Sequence, residues 1–109
     1  MTFISLHLNA SEHPNAKGVE MFIPSEEHPY HDLSKHFGNK IGQVLNEKAV
    51  LNRGMKTADF YVLKNSTCPS ILVELGFMSS PQELEQLTSE TYQQSLAEYL
   101  AQSISHYAR

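Results

Sequence analysis

The apolar positions along this chain change period several times, and each change marks an element. The deepest signal is Ser70–Phe77, a nearly continuous apolar run holding one carboxylate, Glu74. Such a run reads as a strand covered on both faces. Alternation puts Ile71, Val73 and Leu75 on one face, and Leu72, Glu74 and Gly76 on the other. Residues 2–9 read as a first strand, with Phe3, Ser5 and His7 on one face and Ile4, Leu6 and Leu8 on the other. A polar loop over 10–17 leads to a second strand over 18–23, stopped by Pro24, and a second polar loop covers 25–31. Leu33, Phe37, Ile41, Val44 and Leu45 recur at three- and four-residue spacing and predict a helix over 32–49, with Asp32 as its N-cap. Gly38 and Gly42 sit one turn apart there, which predicts close packing of the helix on the sheet. After a connection over 50–58, Phe60–Leu63 reads as a third strand and 64–69 as a turn. Ser80-Pro81-Gln82-Glu83 has the form of a capping box that opens a helix over 81–87. A last helix over 89–107 places Tyr92, Leu96, Leu100, Ile104 and Tyr107 on one face. Strands alternating with helices predict an α/β fold, one domain over 1–109, with a mixed, mostly parallel central sheet flanked by helices.

Composition narrows the partners. Of 109 residues, 40% are hydrophobic and 18% charged, ordinary for a globular domain. A net charge of −4 without a basic cluster argues against nucleic acid. No apolar run is long enough to span a bilayer, and these residues contain no secretory h-region. The single cysteine, Cys68, excludes an internal disulfide and reads as a small loop residue. The strand-like run directly after Met1 carries the expectation that the chain starts partway through a larger fold. The sheet would then lack its first strand or strands, and its open edge would invite association.

Two residues stand out chemically. Glu74 lies near the C-terminal end of a buried strand, where open α/β sheets place their ligands. A carboxylate there is costly unless it is paired, metal-bound or solvated in a cleft, and a structural arginine or lysine partner is the plain alternative. His7 lies near the end of the first strand. A neutral imidazole beside a carboxylate suits a zinc site or general acid–base work, and a hydrogen-bonded core histidine is the competing reading. His13, His28, His31 and His36 read as solvated surface residues, although His28 and His31 are three apart and within reach of a common metal. No nucleophile elbow, phosphate loop or Cys–His arrangement is present in the sequence.

Several stretches occur together in one order: Ser5-Leu6-His7-Leu8-Asn9-Ala10, Gly18-Val19-Glu20-Met21-Phe22, Arg53-Gly54, Phe60-Tyr61-Val62-Leu63, and Leu72-Val73-Glu74-Leu75-Gly76-Phe77-Met78-Ser79-Ser80-Pro81. Across essentially its whole length the chain resembles the C-terminal part of a zinc-dependent N-acetylmuramoyl-L-alanine amidase of the amidase-3 type. The resemblance implies cleavage of the amide between N-acetylmuramic acid and L-alanine in peptidoglycan. It implies a zinc ion held by two histidines and a glutamate, with a place left for water. His7 matches the later zinc histidine. Glu74 matches the catalytic glutamate, which takes the proton of the zinc-bound water and passes it to the leaving amine. The first zinc histidine and the zinc glutamate of the family lie upstream of the His7 motif, and no residue of this chain matches them. The chain is therefore expected to be a truncated domain, inactive as it stands. Asn9 and Arg53 match stretches that would touch substrate, and Glu20 one that would stand behind the site. Arg53 would meet a peptide carboxylate or simply pair with Glu20 or Glu74. The substrate places the action in the periplasm or cell wall, with a regulator protein of unknown kind. Two other readings remain open: an inactive amidase-like module that binds cell-wall peptide or a protein, and an unrelated α/β interaction domain in which His7 and Glu74 are core residues.

Overall fold

A computed structural model of the chain describes residues 1–107. Four strands, β1 (Phe3–Asn9), β2 (Val19–Ile23), β3 (Asn52–Thr57) and β4 (Ser70–Phe77), form one sheet in the order β1-β4-β2-β3. β1 pairs parallel with β4 and β2 parallel with β3, while β2 and β4 meet antiparallel. The sheet is thus mixed and mostly parallel, as the pattern predicted. β4 lies in its interior, which explains its nearly continuous apolar run.

The helices are α1 (His31–Glu47), a single turn α2 (Tyr61–Lys64), α3 (Pro81–Leu87) and α4 (Glu90–Tyr107). Val19, Met21 and Ile23 of β2 and Ile71 and Val73 of β4 bury one sheet face against Phe37, Ile41 and Leu45 of α1. Leu100 and Tyr107 of α4 close the far side of that core. Gly38 and Gly42 do let α1 lie close to the sheet. A Cβ at Gly38 would fall 2.3 Å from the Met55 sulfur, and one at Gly42 3.3 Å from the Asn52 amide nitrogen.

Several expectations need correction. The third strand is Asn52–Thr57, and Phe60–Leu63 contributes instead to the α2 turn. β3 is an edge strand held by backbone pairing to β2, so Asn-Arg-Gly-Met-Lys-Thr needs no apolar alternation. Leu63 is completely buried and pins α2, while Phe60 packs its ring edge-on to Phe22 at 5.3 Å. Asp32 is not the cap of α1; Tyr30 holds that position with no side-chain cap. The helix faces are also rotated from the apolar pattern. Leu33 and Ile104 are exposed, while their neighbours Ser34 and Ser103 are buried. Both serines settle their hydroxyls inside the fold. The Ser34 hydroxyl accepts a hydrogen bond from the Ser70 amide at 2.9 Å, tying α1 to the start of β4, and the Ser103 hydroxyl donates to the Tyr99 carbonyl at 2.8 Å.

Ser80 caps α3 by accepting from the Glu83 amide at 3.3 Å, with Pro81 in the first turn. The Glu83 carboxylate does not return to Ser80 as a capping box requires. Its oxygens accept from the Phe77 and Gly18 amides, both at 2.9 Å. This one side chain joins the end of β4 to the start of β2, the two strand ends that border Glu74.

Candidate active site

The site is a row across the face of the sheet opposite α1. In register, His7 of β1 stands opposite Glu74 of β4, and Glu74 stands opposite Glu20 of β2. Adjacent strands lie about 4.8 Å apart, so these three side chains share one surface. The same alternation that sends Val73 and Met21 into the core sends Glu74 and Glu20 to this face.

Glu74 is half-buried, and its Oε2 is buried without a hydrogen-bond partner among the described residues. Burial raises the pKa of its carboxyl above the ordinary 4.5, the positive charge of His7 opposes this, and the negative charge of Glu20 adds to it. An orphaned carboxylate with a raised proton affinity is a group fit to take up and release a proton. Among the described residues neither an arginine nor a lysine pairs with it. Among the described residues the two cations near the row, Arg53 and Lys56, pair with Glu20 instead.

His7 is exposed, and its Nε2 lies 2.6 Å from the Ser5 hydroxyl on the same strand face. It is therefore not a core histidine. Glu20 is 8% exposed and engaged at one oxygen: Lys56 donates to its Oε2, and the Arg53 Nε lies 3.5 Å from the same oxygen. The Arg53 guanidinium rests over the Phe77 ring, 5.0 Å from its centroid. Asn9 is spent locally. Its Oδ1 accepts from the Ala10 amide at 2.8 Å, and its carbonyl accepts from the Met78 amide at 2.7 Å.

The structure brings His7, Glu74, Glu20 and Arg53 together and turns the Asn9 side chain to its own backbone. Lys56 joins them and was not anticipated; its place two residues beyond Arg53-Gly54 was the available signal. The other histidines differ among themselves. His13 and His36 are exposed, as expected. His28 and His31 are half-buried rather than solvated: the His28 Nδ1 accepts from the Tyr30 amide at 3.0 Å, and the His31 Nδ1 lies 2.8 Å from the Pro24 carbonyl. They shape the loop that enters α1.

A metal needs at least three protein donors here. Among the described residues no three His, Cys, Asp or Glu side chains converge to supply them. His7 fits a zinc ion only as one member of a donor set that these residues alone do not complete, and Glu74 stands beside it as the acid–base group rather than as a ligand.

Comparison with known proteins identifies the family and the fold. A family model described as N-acetylmuramoyl-L-alanine amidase matches residues 1–106. The Bacillus subtilis protein YqiI is 33% identical over 106 residues, covering 96% of this chain and 50% of its own length. The CwlD amidase of Clostridioides difficile, solved in complex with the GerS lipoprotein, superposes with a TM-score of 0.88 at 34% identity, covering 98% of this chain and 54% of that one. The catalytic domain of CwlV, an N-acetylmuramoyl-L-alanine amidase from Bacillus (Paenibacillus) polymyxa, gives 0.85 at 27% identity, covering 98% and 57%. The chain thus spans about half the length of these relatives.

Proposed function

Since the chain belongs to the N-acetylmuramoyl-L-alanine amidase family, we propose that it carries the proton-transfer half of a cell-wall amidase site. The substrate is the amide between the lactyl group of N-acetylmuramic acid and L-alanine in peptidoglycan, and the place of action is the cell wall. The observation that carries this reading is the Glu74 carboxylate, buried at one oxygen, unpaired among the described residues, and directly opposite His7 across the β1–β4 ladder.

Glu74 in its charged form accepts a proton from the attacking water. In its neutral form it returns that proton to the leaving amine, which would otherwise depart as an unstable anion. The raised pKa brings the two forms closer in energy at working pH than an ordinary glutamate would allow. Glu20 contributes by its charge and is itself held still by Lys56 and Arg53. His7 would offer one imidazole to a zinc ion, which when bound would polarise the scissile carbonyl and acidify the attacking water. The Ser5 hydroxyl, 2.6 Å from Nε2, orients the ring.

The test is Glu74→Gln, assayed for release of L-alanyl peptide from muramyl peptide by the protein in its natural reading frame. Gln keeps the shape and removes the proton acceptor. A loss of about 100-fold or more in kcat is expected, on the order of what a positioned acid–base group contributes, with peptide affinity little changed. Activity of the unaltered protein should rise with pH through a midpoint above 4.5, because the charged carboxylate is the reactive form. Near-normal turnover by the variant would sink the assignment. Peptide binding without cleavage by the unaltered protein would favour an inactive, cell-wall-binding module instead.

A further inference from the structure

β3 departs from regular pairing at one place, and the departure aims a cation. Val19 pairs with Asn52, but Glu20 pairs with Gly54, so Arg53 is an extra residue on the β3 side. Gly54 has φ +98, a left-handed conformation that side chains rarely adopt, and its amide donates to the Asn52 side chain at 2.8 Å. A bulge of this kind turns the extra residue out of its regular direction. The guanidinium is thereby carried across Glu20 onto the Phe77 ring, at the edge of the Glu74 row.

Lys56 reaches the same Glu20 oxygen from two residues further along β3. One carboxylate oxygen is thus approached by two cations. Both cations remain open to solvent, with side chains 39% exposed for Arg53 and 52% for Lys56. The contacts of Arg53 are long, 3.5 Å to Glu20 and 3.4 Å to the Lys17 carbonyl, and leave most of its donors without a partner among the described residues. Stacking on Phe77 holds the planar group in one orientation before any ligand arrives. A preorganised, solvent-facing guanidinium beside a second cation is suited to a carboxylate.

We propose that Arg53 and Lys56 form a carboxylate-recognition site at the β3 end of the Glu74 row, specific for a free carboxylate on the peptide leaving group. The inference rests on the muramyl-peptide reading above and adds a direction to it. β3 lies two strands from β4, about 10 Å by ordinary strand spacing. An extended peptide covers that distance in about three residues. The scissile amide then sits at Glu74, and the peptide runs across β2 toward β3, with its acidic group near the third residue.

The experiment is an NMR titration of the labelled protein with two muramyl peptides that differ only in a free carboxylate or a carboxamide at that end. The unaltered protein should bind the acid about tenfold more tightly, a modest return for a charge-assisted hydrogen bond. Arg53→Gln should bring the acid's affinity down to that of the carboxamide, and Arg53→Lys should restore part of the difference. Equal affinity of the unaltered protein for the two ligands would overturn the proposal and leave the amidase reading standing. An equal fall for both ligands in Arg53→Gln would show Arg53 to be a structural partner of Glu20 only. Binding of neither ligand would remove the muramyl-peptide reading and this inference with it.

Discussion

Glu74 places a cost on the fold. Its folded-state pKa is raised, chiefly by burial, so between 4.5 and that raised value the folded chain holds a proton that the unfolded chain has released. Stability therefore falls as pH rises through this window, and the cost is full above it. Glu74→Gln removes the titration. It should raise the melting temperature at about pH 7 and give little advantage at about pH 4, where the wild-type carboxyl is largely protonated in both states. An equal gain at both pH values would show that the effect is packing rather than charge. A group that weakens the fold where the protein works is consistent with a task in chemistry. Glu20 is the contrast: it is more buried, yet two cations meet its charge.

At the scale of elements, the joint between β4 and β2 depends on a side chain that belongs to neither. Glu83 of α3 takes the Phe77 and Gly18 amides, and Ser80 caps the helix that carries it. Ser80→Ala should cost about 1 kcal/mol, the usual value of a lost N-cap. Glu83→Ala leaves two backbone donors without their acceptor and should cost more, about 3 kcal/mol or above, since each bond to a charged acceptor is worth about 1.5–3 kcal/mol. Chemical denaturation of the two variants checks the order, and a Glu83→Ala cost no greater than that of Ser80→Ala would contradict the bridging role. The motif Ser-Pro-Gln-Glu announced the helix start correctly. Its capping-box form put the Glu83 carboxylate back on Ser80, and the structure sends it to Phe77 and Gly18, because that choice depends on two amides brought near only by sheet assembly. β3 was missed for a related reason. An edge strand with polar side chains is held by the neighbour's backbone, and side-chain pattern carries no record of it.

For the molecule as a whole, the exposed edge is the consequential feature. β1 borders the sheet and carries no Asp, Glu, Lys, Arg or proline in Phe-Ile-Ser-Leu-His-Leu-Asn, while Leu6 and Leu8 are 51% and 44% exposed. Such an edge is a template for pairing with another chain. The 109-residue chain alone should self-associate with rising concentration, and Leu6→Lys should shift it toward monomer in light scattering. An unchanged mass distribution in that variant would place the contact elsewhere.

The sequence by itself determined the α/β alternation, the buried interior strand, the close approach of α1 through Gly38 and Gly42, and the resemblance that singled out His7 and Glu74. These are local properties: period, breakers and short motifs are written in neighbouring residues. Tertiary structure decided what those residues meet. Only the assembled sheet sets Glu20 opposite Glu74, leaves one Glu74 oxygen without a partner among the described residues, and turns Arg53 through a bulge onto Phe77. Each of these depends on register between strands far apart in the chain, and a shift of one residue would send every one of these side chains to the opposite face.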